Sequence, residues 1–120
     1  MPPDSVSNSD LVYLWHITHA CEQMAAYIHN LDIEQFKEND MLKDAAYWRI
    51  NVIGEAIGNL SQEFVESHPQ IDWRKARSAR NRIVHGYDSI EDAVIWEIAT
   101  VHIPKLLKQI TPLIPEPPQD

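Results

Sequence analysis

Apolar residues first recur at steps of three and four between Leu11 and Ile28: Leu11, Leu14, Trp15, Thr18, Cys21, Ala25 and Ile28. That spacing puts one buried stripe on a helix running to about Leu31. Ser9 or Asp10, just ahead of it, can accept the first backbone N–H groups. At Asp32, Ile33 and Glu34 the period is lost, which predicts a polar linker. A second stripe starts after Asn39 or Asp40, with Leu42, Ala46, Arg49, Val52, Ile53, Ala56, Ile57, Leu60 and Phe64. It predicts one helix to about Glu66, roughly 25 residues and about 40 Å long. Gly54 and Gly58 lie inside it, each costing about 1 kcal/mol relative to alanine. Close approach of another helix would account for them. Glu55, between the two, either faces solvent or pairs with a cation such as Arg77 or Arg80.

His68-Pro69 ends this pattern, because the residue before a proline is pushed out of the α region. Asp72 can cap a third helix over roughly Trp73 to Val84, and Gly86 is placed to stop it. Ser89 and Asp92 have the spacing of a capping box opening a fourth helix, with Ile90, Val94, Ile98, Val101 and Ile103 on its apolar side. Pro104 falls inside that helix and predicts a kink or a break. From Pro112 the chain carries Pro115, Pro117 and Pro118 and is expected to be extended. The expected organisation is a loose tail over 1–9, one helical domain over 10–111 and a proline-rich tail over 112–120. Helices with one apolar stripe each bury those stripes against one another. The expected fold is therefore all-α, an antiparallel or up-down four-helix bundle.

Composition sharpens this picture. At 120 residues there is room for one modest core, and three glycines argue against a turn-rich β fold. The single Cys21 rules out an internal disulfide and suggests a reducing compartment. The chain opens without a basic-then-apolar leader and has no apolar run of about 18 residues. The expectation is a soluble, cytoplasmic protein with no membrane partner.

Charge adds the main functional signal. There are 18 acidic residues against 10 Lys and Arg, a net charge of -8. Yet Arg74, Lys75, Arg77, Arg80 and Arg82 stand together, and no carboxylate lies between Asp72 and Asp88. Half the positive charge occupies one short segment, a local anion-attracting surface that the net charge hides. The excess acid disfavours indiscriminate nucleic-acid coating, so RNA contact is expected on that face alone.

The segment ends in Arg80-Asn81, then His85-Gly86-Tyr87. This string resembles the signature of HEPN-domain proteins, and more closely the HepT-like toxins encoded beside minimal nucleotidyltransferase (MNT) antitoxins. Ile53-Gly54-Glu55-Ala56, Ile71-Asp72-Trp73 and Val94-Ile95-Trp96 agree with that branch, and the resemblance covers roughly Asp10 to Ile110.

The resemblance implies a dimeric ribonuclease. In HepT-like proteins the motif tyrosine, here Tyr87, is AMPylated by the MNT partner, which silences the toxin. The residue chemistry suits RNA cleavage without a metal or other cofactor. The 2′-hydroxyl attacks the adjacent phosphorus, the 5′-oxygen leaves, and a 2′,3′-cyclic phosphate and a free 5′-hydroxyl result. His85 supplies a base near neutral pKa, and Arg80 a planar fork of donors for the developing negative charge. Asn81 can hold a phosphate or orient His85; Tyr87 can donate to phosphate or pack a base. Arg74, Lys75, Arg77 and Arg82 form the wider RNA-binding surface. One chain offers one motif imidazole where an acid and a base are useful, so a two-fold dimer with its cleft at the interface is expected.

The bland alternatives are a surface ion-pairing arginine and a helix-terminal histidine. On the whole-protein level the competing expectation is a non-catalytic helical adaptor that binds a nucleotidyltransferase or a nucleotide. His16, His19 and Glu22 step by three on the first helix, but no second cluster completes a metal shell. They are expected on a solvated face, with His29, His68 and His102 solvated too. Trp15, Trp48, Trp73 and Trp96 are expected as core or interface anchors rather than base-stacking platforms.

Overall fold

A computed structural model describes residues 6–77 and 92–115. Among these the chain is helical with no strand, in agreement with the all-α expectation.

Helix α1 spans Asn8–Ile28. Its N-cap is Ser7 rather than Ser9 or Asp10: Ser7 Oγ accepts the Asp10 N–H at 3.2 Å. The buried face comprises Leu14, Ile17, Ala20, Cys21 and Met24, with Asp10 at its foot. This corrects the phase read from the sequence. Trp15 is 51 % exposed and Ala25 is exposed, while Ile17, Ala20 and Met24 take their place in the core.

The expected linker contains a short helix, α2, over Ile33–Lys37. Asp32 and Gln35 form a capping box: Asp32 Oδ1 accepts the Gln35 N–H at 2.8 Å, and Gln35 Oε1 accepts the Asp32 N–H at 2.9 Å. The turn survives because Phe36 is fully buried, its ring 5.3 Å from that of Trp96.

Helix α3 spans Asp40–Asn59, capped by Asn39 as expected. It is shorter than the sequence suggested. Leu60 adopts an extended backbone, and Ser61 caps a separate helix α4 over Gln62–Glu66. Two partners hold Ser61 in that role. Its hydroxyl accepts the Phe64 N–H at 3.1 Å and donates to Asp10 Oδ2 at 2.6 Å, and its own N–H donates to Asp10 Oδ1 at 2.7 Å. Gly58 faces open space, so close helix packing is not what places a glycine there.

Helices α1 and α3 run antiparallel. Asp10, at the start of α1, meets Ser61 beyond the end of α3, and Tyr27, near the end of α1, accepts from Arg49 Nε at 3.1 Å. Helix α5 is described over residues 73–77. The chain then stays helical from 92 to 110, as α6 (Asp92–Glu97), a π-helical turn (Ile98–His102) and α7 (Ile103–Ile110). This rod packs against α1, α2 and α3.

Of the kink or break expected at Pro104, the break is absent: the rod continues through it, and the distortion takes the form of the π-helical turn just before it. A proline withholds an N–H and crowds the carbonyl four residues back. Here the turn before it is widened: the Ile103 N–H donates to the Ile98 carbonyl, and Thr100 Oγ1 donates to the Trp96 carbonyl at 2.7 Å. The wider turn also changes which residues are buried. Ile98, Ala99, Ile103, Leu106 and Ile110 face the core, whereas Val101, expected on the apolar side, is 54 % exposed. Beyond α7, Thr111–Leu113 forms a 3₁₀ turn, so Pro112, where the chain was expected to become extended, is helical instead; Pro117 and Pro118 lie outside the described residues.

Candidate functional site

The motif residues Arg80, Asn81, Arg82, His85 and Tyr87, with Gly86, Ser89 and Ile90, lie outside the described residues. Their neighbours on both sides are described, and they define the scaffold on which the motif is mounted.

On the N-terminal side the chain is fixed by an aromatic cluster. The Phe64 ring lies 4.3 Å from the His68 ring and 6.1 Å from that of Trp73. Trp73 is 7 % exposed, and its Nε1–H donates to the His68 carbonyl at 3.1 Å. Buried Ile71 anchors the same loop. His68 is thus half-buried and structural rather than solvated, and its Nδ1 lies 2.9 Å from the Phe64 carbonyl. Asp72 caps α5 as expected, its Oδ1 accepting the Lys75 N–H at 2.9 Å.

With Ile71 and Trp73 turned inward, Arg74, Lys75 and Arg77 are all exposed. The first half of the cationic segment is therefore an accessible charged surface. Arg80 follows Arg77 by three residues, which limits their Cα separation to about 11 Å in any conformation.

On the C-terminal side Asp92 is tied to the scaffold. Lys43 Nζ lies 3.3 Å from Asp92 Oδ2 and 3.3 Å from Asp40 Oδ1. Asp40 first, then Asp92, hold the Lys43 ammonium in its charged form above its ordinary range. This pair joins α3 to α6.

A groove of about 190 Å³ opens beside α5. Its floor is aliphatic, with Ile50 and Ile53 from α3 and Ile98, Ile103 and Leu106 from the π turn and α7. Its rim is polar: Gln70, Asp72 and Lys75 on one side, His102, Lys105 and Gln109 on the other. Gln109 Nε2 donates to the Gln70 carbonyl at 3.3 Å and closes one end. His102, expected to be solvated, is half-buried here, with Nε2 3.5 Å from Glu97 Oε1. Lys105 was not singled out in the sequence. Nothing local links it to Lys75, which lies thirty positions earlier; only the packing of α7 beside α5 does.

Other candidates fall away from the site. His16, His19 and Glu22 lie on the exposed face of α1. Among the described residues no group of three or more His, Cys, Asp or Glu could hold a metal ion. Cys21 is fully buried, and burial pushes its thiol up to about 12, so it is no nucleophile. Among the described helices none is long and apolar enough to cross a membrane.

A helical scaffold presenting exposed cations just ahead of an Arg–His–Tyr motif defines a class, and comparison with known proteins agrees. The family described as Ribonuclease HepT-like matches residues 17–113, and the chain belongs to that HepT-like family, within the HEPN superfamily. A protein of Caldanaerobacter subterraneus subsp. tengcongensis named "Putative RNase TTE0752" is 31 % identical over 102 residues, which cover 85 % of this chain and 91 % of that one. The "Probable ribonuclease HepT" of Thermococcus cleftensis is 29 % identical over 94 residues, covering 78 % and 86 %. A "Gamma-glutamylcyclotransferase and putative RNase MJ0434" of Methanocaldococcus jannaschii is 32 % identical over 105 residues, covering 88 % of this chain and 47 % of that longer protein. No solved structure matches the chain significantly.

Proposed function

We propose that this protein is a metal-independent endoribonuclease, the toxin of a HEPN/MNT toxin–antitoxin pair. His85 moves the proton of the attacking 2′-hydroxyl, and Arg80 stabilises the negative charge that gathers on the phosphate oxygens. Asn81 and Tyr87 assist. Arg74, Lys75, Arg77 and Arg82 hold the flanking RNA backbone. A homodimer brings two copies of His85 to one cleft, so that one acts as base while the other protonates the departing 5′-oxygen. AMPylation of Tyr87 by the MNT antitoxin silences the enzyme by placing negative phosphate beside Arg80 and filling the space RNA would enter.

The observation that carries this reading is the outward display of Arg74, Lys75 and Arg77 on a helix rooted in the core by Trp73, immediately ahead of the motif, in a chain of the HepT-like family. The test is incubation of purified protein with RNA in EDTA. The wild type is expected to give products ending in 2′,3′-cyclic phosphate. His85→Ala, with an unchanged melting curve, is expected to lose at least about a hundredfold in rate, the usual worth of a positioned acid–base group. Intact RNA in both samples would replace the enzyme with the adaptor.

A further inference from the structure

The groove beside α5 has the chemistry of a nucleotide site. A nucleobase is a flat body with apolar faces and a polar edge, linked to an anionic phosphate. The groove pairs an aliphatic floor with an amide- and carboxylate-bearing rim and places Lys75 and Lys105 at its mouth. A simple fatty acid would need the floor and the lysines but not Gln70, Gln109 and Asp72.

The π turn is what builds the floor. Five residues along an α-helix turn through about 500°, which would set Ile98 and Ile103 about 140° apart. The bond from the Ile103 N–H to the Ile98 carbonyl brings both side chains to one cavity, with His102 beside them. Such turns inside helices are found frequently at functional sites.

We propose that this groove receives one nucleotide of a single-stranded RNA and selects bases carrying an exocyclic amino group. This rests on the ribonuclease reading above. The ring lies on Ile53, Ile98 and Ile103, and the phosphate lies toward Lys105 and Lys75. The selective group is Asp72. Its Oδ1 is occupied by the Lys75 N–H; its Oδ2 is the acceptor offered to the base edge. A carboxylate accepts from an amino group, as it does from cytosine N4, and repels a carbonyl oxygen. Adenine, cytosine and guanine carry an amino group and uracil does not. Unstacked bases of single strands are the parts of RNA that proteins read in this way. Lys75 lies five residues before Arg80, within about 18 Å of chain, so the selected base lies close to the cut.

Isoleucine-methyl NMR on the full chain tests this, in wild type and in His85→Ala. The probes are oligoadenylate, oligocytidylate and oligouridylate of about six nucleotides, within the usual span of single-strand sites, and the matching free mononucleotides. The Ile53, Ile98 and Ile103 methyls are expected to shift with oligoadenylate and oligocytidylate at concentrations at least about tenfold below those needed for oligouridylate. Asp72→Asn keeps the helix cap, since asparagine caps as well as aspartate. It exchanges an acceptor for a donor and is expected to abolish or invert the order. Lys105→Glu is expected to weaken every oligonucleotide.

Floor methyls unmoved by all probes, or an order unchanged in Asp72→Asn with its melting curve intact, would overturn the proposal. Mononucleotides binding as tightly as oligonucleotides would overturn its place on an RNA path in favour of a free nucleotide. RNA cleaved while the floor stays silent would sink the groove alone. RNA bound in the groove and never cleaved would sink the ribonuclease reading and leave the groove standing.

Discussion

Asp10 is 4 % exposed and still ionised. Burial by itself would raise its pKa, but hydrogen bonds from the Ser61 side chain, the Ser61 backbone and Ser7 outweigh that, holding the carboxyl below its ordinary value. The folded chain therefore favours the carboxylate more than the unfolded chain does, where an aspartate titrates near about 3.9. The stability from this group is complete above about pH 4 and is lost as pH falls through the lower folded-state value. Asp10→Asn should cost about 1–3 kcal/mol at neutral pH, the range for a buried charge-assisted hydrogen bond. The gap between variant and wild type should close as the melts are repeated in increasing acid. A constant gap down to strong acid would mean that shape, not charge, holds the Ser61 turn. Sequence spacing could not reveal this contact, because Asp10 and Ser61 are 51 positions apart.

The elements show which local signals decide and which mislead. The period from Leu42 to Phe64 reads as one helix because Leu60 and Phe64 keep a four-residue step across the break. The interruption was signalled instead by Ser61, a cap residue. In the same way Asp32 and Gln35 carried the capping-box spacing of α2, while Phe36 alone was too little to show a stripe. In α1 the apolar Trp15 pulled the expected stripe off its true phase. Hydropathy cannot say that the covered face is centred on Leu14, Ile17, Cys21 and Met24.

The register change at the π turn makes a sharp contrast between near neighbours. Ile103→Ala should cost about 2–5 kcal/mol, as large-to-small core changes do. Val101→Lys, two residues earlier, should stay within about 0.5 kcal/mol. Denaturant melts of both variants decide it; equal losses would mean that Val101 is packed in the core as Ile103 is.

Over the whole molecule, the cationic segment, the helical class and the motif string were all legible in the sequence, because each is a run of neighbours. The site's surroundings were not, since Lys43 meets Asp92 and Lys105 shares a groove with Lys75 only through packing. The concentration of charge on one face has a measurable signature. Each phosphate contact on a single strand contributes about −0.7 to the slope of log affinity against log salt. Changing Arg74, Lys75 and Arg77 together to Gln should flatten that slope by roughly 2, measured by RNA binding to His85→Ala across a salt series. An unchanged slope would place the RNA elsewhere.

The placement of the indoles carries a consequence of its own. Trp15 and Trp48 stand at the surface, 51 % and 57 % exposed, while Trp73 is enclosed between Phe64 and the His68 carbonyl. A water-borne quencher reaches the first two and is kept from the third. The light that survives quenching is therefore weighted toward Trp73 and the half-buried Trp96 beside Phe36. With Trp96→Phe it is left to the ring at the root of the cationic helix, whose colour then follows whatever docks there, with no dye attached.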